Sequence, residues 1–167
     1  MGQTPEIRVN QRREGLSIIS SVTNRGKVRF KSFEGAMNGC ILIDFMKRLV
    51  REARKENGAK VFLVLDNLKV HHAKPVKAWL EQNTAHIEVF YLPSYSPELN
   101  PDEVLNANLK AAVSSQAPHR RKGQLKQAAI GHLRHLQKTP AKVKQFFQKD
   151  SVKYARFVCS NGLISDQ

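Results

Sequence analysis

Cysteine is almost absent from these 167 residues: only Cys40 and Cys159 occur, outside any CxxC pair or Cys/His cluster. That excludes a disulfide framework and the usual structural zinc sites, and it fits a reducing, intracellular compartment. No apolar run approaches the roughly 20 residues of a membrane span, and the opening MGQTPEIRVNQRREG lacks a signal-peptide core. The expectation is a soluble cytoplasmic protein with no membrane partner. Acidic residues are also few, 14 against 28 Lys and Arg, which leaves a formal charge of +14. An excess of that size makes nucleic acid the default partner.

The shortage of acid is uneven. Residues 1–66 hold 13 basic and 7 acidic side chains, residues 67–110 hold 4 and 5, and residues 111–167 hold 11 and 2. Basic flanks thus surround a nearly neutral middle whose carboxylates are available for another purpose, although a solvated surface explains the same pattern. With 41% hydrophobic residues the chain can bury one continuous core and has no room for two large ones.

Residues 16–33, LSIISSVTNRGKVRFKSF, read as a β-hairpin around Asn24-Arg25-Gly26, where Gly supplies a positive φ. From Asn38 to Asn57 the residues Leu42, Phe45, Met46, Leu49 and Ala53 recur at spacings of three and four, an amphipathic helix closed by Gly58. Val61–Leu65 is an unbroken apolar run ending in Asp66-Asn67, expected to be a central parallel strand buried on both faces. Pro75 opens a short helix, and HIEVFYL from His86 to Leu92 forms a further strand. The loop PSYSPELNP leads into a helix from Pro101 to about Val113, followed by two or three basic helices broken near residues 116–119 and at Thr139-Pro140. The resulting division is residues 1–115 as the principal α/β unit and 116–167 as a basic helical extension of the same domain.

Asp66 stands at the C-terminal end of a strand, the edge where open α/β sheets bind ligands. Glu103 falls on the first turn of the following helix, where Asn100, Pro101 and Glu103 also match N-cap, N1 and N3. Capping explains both residues locally. The functional alternative is a pair of carboxylates that hold Mg²⁺ or Mn²⁺ for phosphoryl-transfer chemistry. His71 and His72 suggest a metal pair, yet neighbours in a loop point apart, so His71 reads better as ordering the loop or touching a phosphate. Arg120, Arg121 and Lys122 are either a solvated turn or a phosphate clamp.

VFLVLDNLKVHHAKPVKAWL followed by VFYLPSYSPELNPDEVLNANLK resembles the paired signature of IS630-type transposases, Tc1/mariner-like members of the DDE superfamily. The matching positions are Asp66, Asn67 and His71, then Pro93, Tyr95, Ser96, Pro97, Leu99, Asn100, Pro101 and Glu103. The likeness runs from about Gly2 to about Lys110. It implies an RNase H-like fold and DNA strand cleavage and transfer at transposon ends. It also implies two Mg²⁺ or Mn²⁺ ions, with Asp66 and Glu103 as catalytic metal ligands, and a bacterial, nucleoid-associated setting. Asn67, His71, Tyr95 and Asn100 would support the site, and Lys69, Lys74, Lys110 and residues 120–122 would contact DNA.

Two departures qualify the likeness. Many relatives carry Trp where Asn106 stands, and the family's first catalytic Asp lies upstream of the Gly-Gln-Thr-Pro stretch that here begins at residue 2. The expectation is therefore a sheet without its first strand, in a chain that is marginally stable, associates through its exposed edges or recruits Glu6 to Asn10 as a makeshift strand. A second copy or an upstream-encoded half is the candidate partner. The rival readings are an inactive remnant that binds only DNA or a partner chain, and an RNase H-like nuclease such as a junction resolvase.

Overall fold

Gly26 closes the turn between strands β2 (Leu16–Val22) and β3 (Val28–Phe33) with φ of 87°, and the Gly26 N–H donates to the Thr23 carbonyl at 2.9 Å. A side chain there meets a second obstacle, since an added Cβ would lie 2.5 Å from the Pro140 carbonyl oxygen. The computed structural model describes residues 6–7, 16–56, 58–94, 96–115 and 123–156. Within them, β1 (Glu6–Ile7), β2 and β3 form one antiparallel sheet in the order β1-β2-β3. The makeshift strand expected over Glu6 to Asn10 is thus described for Glu6–Ile7 alone, paired with Ser17 and Leu16.

Helix α1 (Gly39–Glu56) begins under Asn38, whose Oδ1 accepts from the Ile41 N–H at 3.0 Å, and ends where Gly58 takes φ of 69°. Its buried face is the one expected, with Leu42, Phe45, Met46 and Leu49 packed on Ile19, Val76 and Ile87. Strand β4 (Val61–Leu65) then pairs in parallel with β5 (Ile87–Tyr91), and helix α2 (Lys74–Gln82) makes the crossover. These two strands form a separate sheet.

That separation corrects the expectation for β4. Among the described residues it has one strand neighbour, and it is not buried on both faces. Phe62 and Phe90 are each 45% exposed, their rings 6.3 Å apart on an uncovered face. An apolar run alone could not distinguish a strand covered twice from one covered once, because periodicity is absent in both.

Helix α3 (Pro101–Ser114) is followed by α4 (Gln124–Lys138), α5 (Pro140–Gln145) and two 3-10 turns, Phe146–Gln148 and Asp150–Arg156. These basic helices share a core with the first sheet. Leu125, Leu133, Leu136 and Val143 pack with Ile18 and Val28 and with Leu105 and Leu109 of α3. The first sheet therefore lies between two apolar clusters, one under α1 and one under the C-terminal helices.

Candidate active site

Because β4 ends at Leu65, Asp66 leaves the sheet at its C-terminal edge with a quarter of its side chain exposed. A 3-10 turn at Lys69–His72 folds the chain back so that His71, 6% exposed, lies against Asp66. Nδ1 of His71 is 2.7 Å from the Asp66 carbonyl oxygen and 3.0 Å from Oδ1 of its carboxylate. A carbonyl can only accept, so Nδ1 carries the proton and fixes Asp66 through both backbone and side chain. The Tyr91 hydroxyl donates to the His71 carbonyl at 3.2 Å and ties this turn to β5.

Glu103 reaches the same edge on the first turn of α3. Asn100 caps that helix, accepting at Oδ1 from the Asp102 N–H at 3.0 Å, and Pro101 occupies the position where an N–H would have no partner. Asp102 turns inward, and the Ser20 hydroxyl of β2 donates to its carboxyl at 2.9 Å. Asp102 keeps partial exposure as a residue, yet its carboxyl is desolvated. Burial pushes it up to about 7; the Ser20 bond opposes the rise, and the charges of Glu103 and Asp66 add to it. One turn on, Asn106 is 4% exposed and its Oδ1 has no hydrogen-bond partner among the described residues.

Asp66, Asp102, Glu103 and Asn106 line one cleft of about 240 Å³ between the two sheets. Its walls are β2 on one side and β4 on the other, and among the described residues no strand pairs with both of them. Hard oxygen donors at a sheet edge suit Mg²⁺ or Mn²⁺ rather than softer metals. The mutual repulsion felt by Asp102 has the sign that a cation would relieve. No group of three His, Cys, Asp or Glu side chains forms a complete metal site among the described residues. The donor set thus fits a divalent ion held by Asp66 and Glu103 and completed by other ligands.

The sequence model of the DDE superfamily endonuclease family matches residues 1–126. The chain belongs to that family. No curated protein matches it. Among solved structures, the chain is similar to the catalytic domain of Mos1 mariner transposase, with a TM-score of 0.62 at 20% identity over 90% of this chain and 78% of that one. It is similar also to the Mos1 paired-end complex with Mn, at 0.61 and 17% over 90% of this chain and 47% of that one. The Mos1 catalytic domain with Raltegravir and Mg gives 0.60 and 19%, over 87% and 78%. At these identities the likeness is one of fold, the RNase H-like α/β fold expected from the sequence.

The other residues singled out in this DDE endonuclease chain are scattered. Asn67 donates through Nδ2 to the Ser94 Oγ at 2.9 Å and joins the two loops that flank the cleft. His72 meets Asn67 Oδ1 and stacks on Tyr91, with centroids 4.4 Å apart, so the two histidines do diverge. Lys69, Lys74 and Lys110 are exposed and stand outside the cleft wall. Tyr95, Arg120, Arg121 and Lys122 lie outside the described residues. Sequence reasoning missed Ser20, Asp102, Asn106 and Tyr154, whose hydroxyl donates to the Leu99 carbonyl at 2.7 Å at the cleft rim. Asp102 offered a signal as a second carboxylate beside Glu103, and Asn106 as the position where many relatives carry Trp.

Proposed function

We propose that this chain is the catalytic portion of an IS630-type transposase, which cuts and joins DNA strands at transposon ends in the bacterial nucleoid. One observation carries the reading: Asp66, braced by His71, and Glu103, on the capped first turn of α3, line the same cleft at a sheet edge. Two divalent ions would be held by Asp66 and Glu103, together with ligands beyond this pair. When bound, they supply Lewis-acid polarisation of a phosphodiester and a lowered pKa for the attacking water or 3′-hydroxyl. His71 holds Asp66 in place, and the α3 N-terminus adds a positive dipole end beside a phosphate. Asp102, whose carboxyl burial pushes up to about 7, accepts from the Ser20 hydroxyl and, where protonated below that pH, spares the cleft a further negative charge.

The test is Mn²⁺ binding by calorimetry, together with nicking of transposon-end duplexes. Asp66→Asn and Glu103→Gln each weaken binding at least tenfold and abolish any nicking while far-UV circular dichroism is unchanged. Wild-type Mn²⁺ affinity in both variants would sink the assignment.

A second reading rests on the cleft walls, since among the described residues no strand pairs with both β2 and β4. In it the chain binds DNA but cuts only with a second polypeptide that completes the cleft. Nicking by the purified monomer would decide against it. The partition into residues 1–115 and a basic extension belongs to the same proposal, with the extension serving as a wall of the catalytic unit.

A further inference from the structure

Four cations on α1 have no place in the chemistry above. Arg51, Arg54 and Lys55 lie four, seven and eight residues after Lys47, so the four share one helix face. They line a groove of about 500 Å³ against the end of α2, where Trp79 and His86 form the opposite wall and no carboxylate contributes. Lys47, Arg51 and Lys55 are exposed and have no ion pair among the described residues. The acids of the same helix are engaged elsewhere: Glu52 and Glu56 pair with Arg29, Arg48 and Lys27, and Asp44 pairs with Lys31. Arg54 is braced rather than neutralised, because its guanidinium donates to Nε2 of His86 at 2.7 Å.

Helix-end electrostatics accounts for only part of this. Arg54 and Lys55 in the last turn complement the macrodipole, but Lys47 and Arg51 stand well before it. Like charges at these spacings oppose one another by a few tenths of a kcal/mol per pair, so a bound anion would relieve the face. From Lys47 to Lys55 is eight residues, roughly 12 Å along the helix. That is longer than one phosphate group and suits a row of them.

We infer that this groove is a second nucleic-acid site, which grips consecutive backbone phosphates of DNA with the Trp79 indole beside them. It is distinct from the cleft. His86 accepts the Val61 N–H bond that opens β4, whereas Asp66 follows the other end of the strand, and the five residues between span roughly 16 Å. DNA held here is therefore anchored away from the phosphate being cut. The inference shares with the proposed function only the premise that the chain meets DNA.

Trp79 is the single tryptophan of the chain, so its fluorescence reports on this groove alone. The Glu103→Gln chain in EDTA is titrated with a 30-base-pair duplex. The expected result is saturable quenching of Trp79 with a midpoint that climbs steeply with NaCl. Arg51→Glu/Lys55→Glu should raise that midpoint at least tenfold and reduce the salt slope by about two. The equal-charge control Lys126→Glu/Lys144→Glu, at exposed positions on α4 and α5, should change it much less. Absent quenching, equal effects of the two double variants, or the same quenching by inorganic phosphate at matched concentration would each overturn the inference. Mn²⁺ binding at Asp66 and Glu103 is read separately, so failure of one site is not failure of the other.

Discussion

The carboxyl of Asp102 gives the cleft a pH signature that a single substitution can expose. Burial raises it from 3.8 to about 7, so over that window the folded chain keeps a proton that the unfolded chain releases. The native state then binds more protons than the unfolded state, and stability falls as pH rises from about 4 to about 7. Above about 7 both states are ionised and the penalty is constant. A displacement of this size corresponds to on the order of 4 kcal/mol. Asp102 keeps some contact with solvent, so about 2 kcal/mol is the working lower figure.

Asp102→Asn keeps an acceptor for the Ser20 hydroxyl and removes the charge that opposes Glu103 and Asp66. The variant should match the wild type near pH 4, gain on it between pH 5 and 7, and be more stable by about 2–4 kcal/mol at pH 8. For a chain of this size that is a rise of roughly 5–15 °C in Tm. Urea denaturation across a pH series, in EDTA to exclude cations, measures the gap directly. A gap that does not vary with pH, or a variant less stable at pH 8, would refute the picture of a buried protonated carboxyl.

His71→Ala removes the ring that holds Asp66 by two contacts, and Mn²⁺ affinity by calorimetry should drop about 10- to 100-fold; an unchanged affinity would separate His71 from the site. Gly26→Ala forces a side chain into φ of 87° and against Pro140, and should cost about 2–4 kcal/mol in urea denaturation; a neutral effect would show that α5 does not pack on the hairpin turn. Leu133→Ala, at a fully buried position in the core shared with Ile18 and Val28, should cost about 2–5 kcal/mol within a single transition. A biphasic melt in that variant would mean that the C-terminal helices form a separate unit.

Local features of this chain were legible without coordinates. The positive-φ Gly26, the Asn38 cap with its three-four apolar face, and the Asn100-Pro101 helix start each depend on residues within a turn or two of one another. Asp66 and Glu103 could be placed at strand and helix ends from spacing, but their shared cleft depends on how two loops converge, and there the motif resemblance did what periodicity could not. Burial of β4 was misjudged because an all-apolar run is silent about how many layers cover it, and Phe62 and Phe90 remain half in solvent. The role of the C-terminal helices was equally hidden, since Leu133 meets Ile18 across more than a hundred residues.

The residues missed altogether share a cause. Ser20 and Asp102 are 82 positions apart, and each looks ordinary in its own segment, a strand hydroxyl and a helix-start acid. Only the approach of β2 to α3 makes them a pair, and only desolvation makes that pair unusual. The same enclosure leaves Asn106 Oδ1 without a donor among the described residues. Buried acceptors normally find partners, so a raised carboxyl and an orphaned amide oxygen in one cleft describe a site shaped to receive polar atoms. A cation between the carboxylates would relieve their repulsion and a donor facing Asn106 would satisfy its Oδ1, whereas an apolar ligand would do neither.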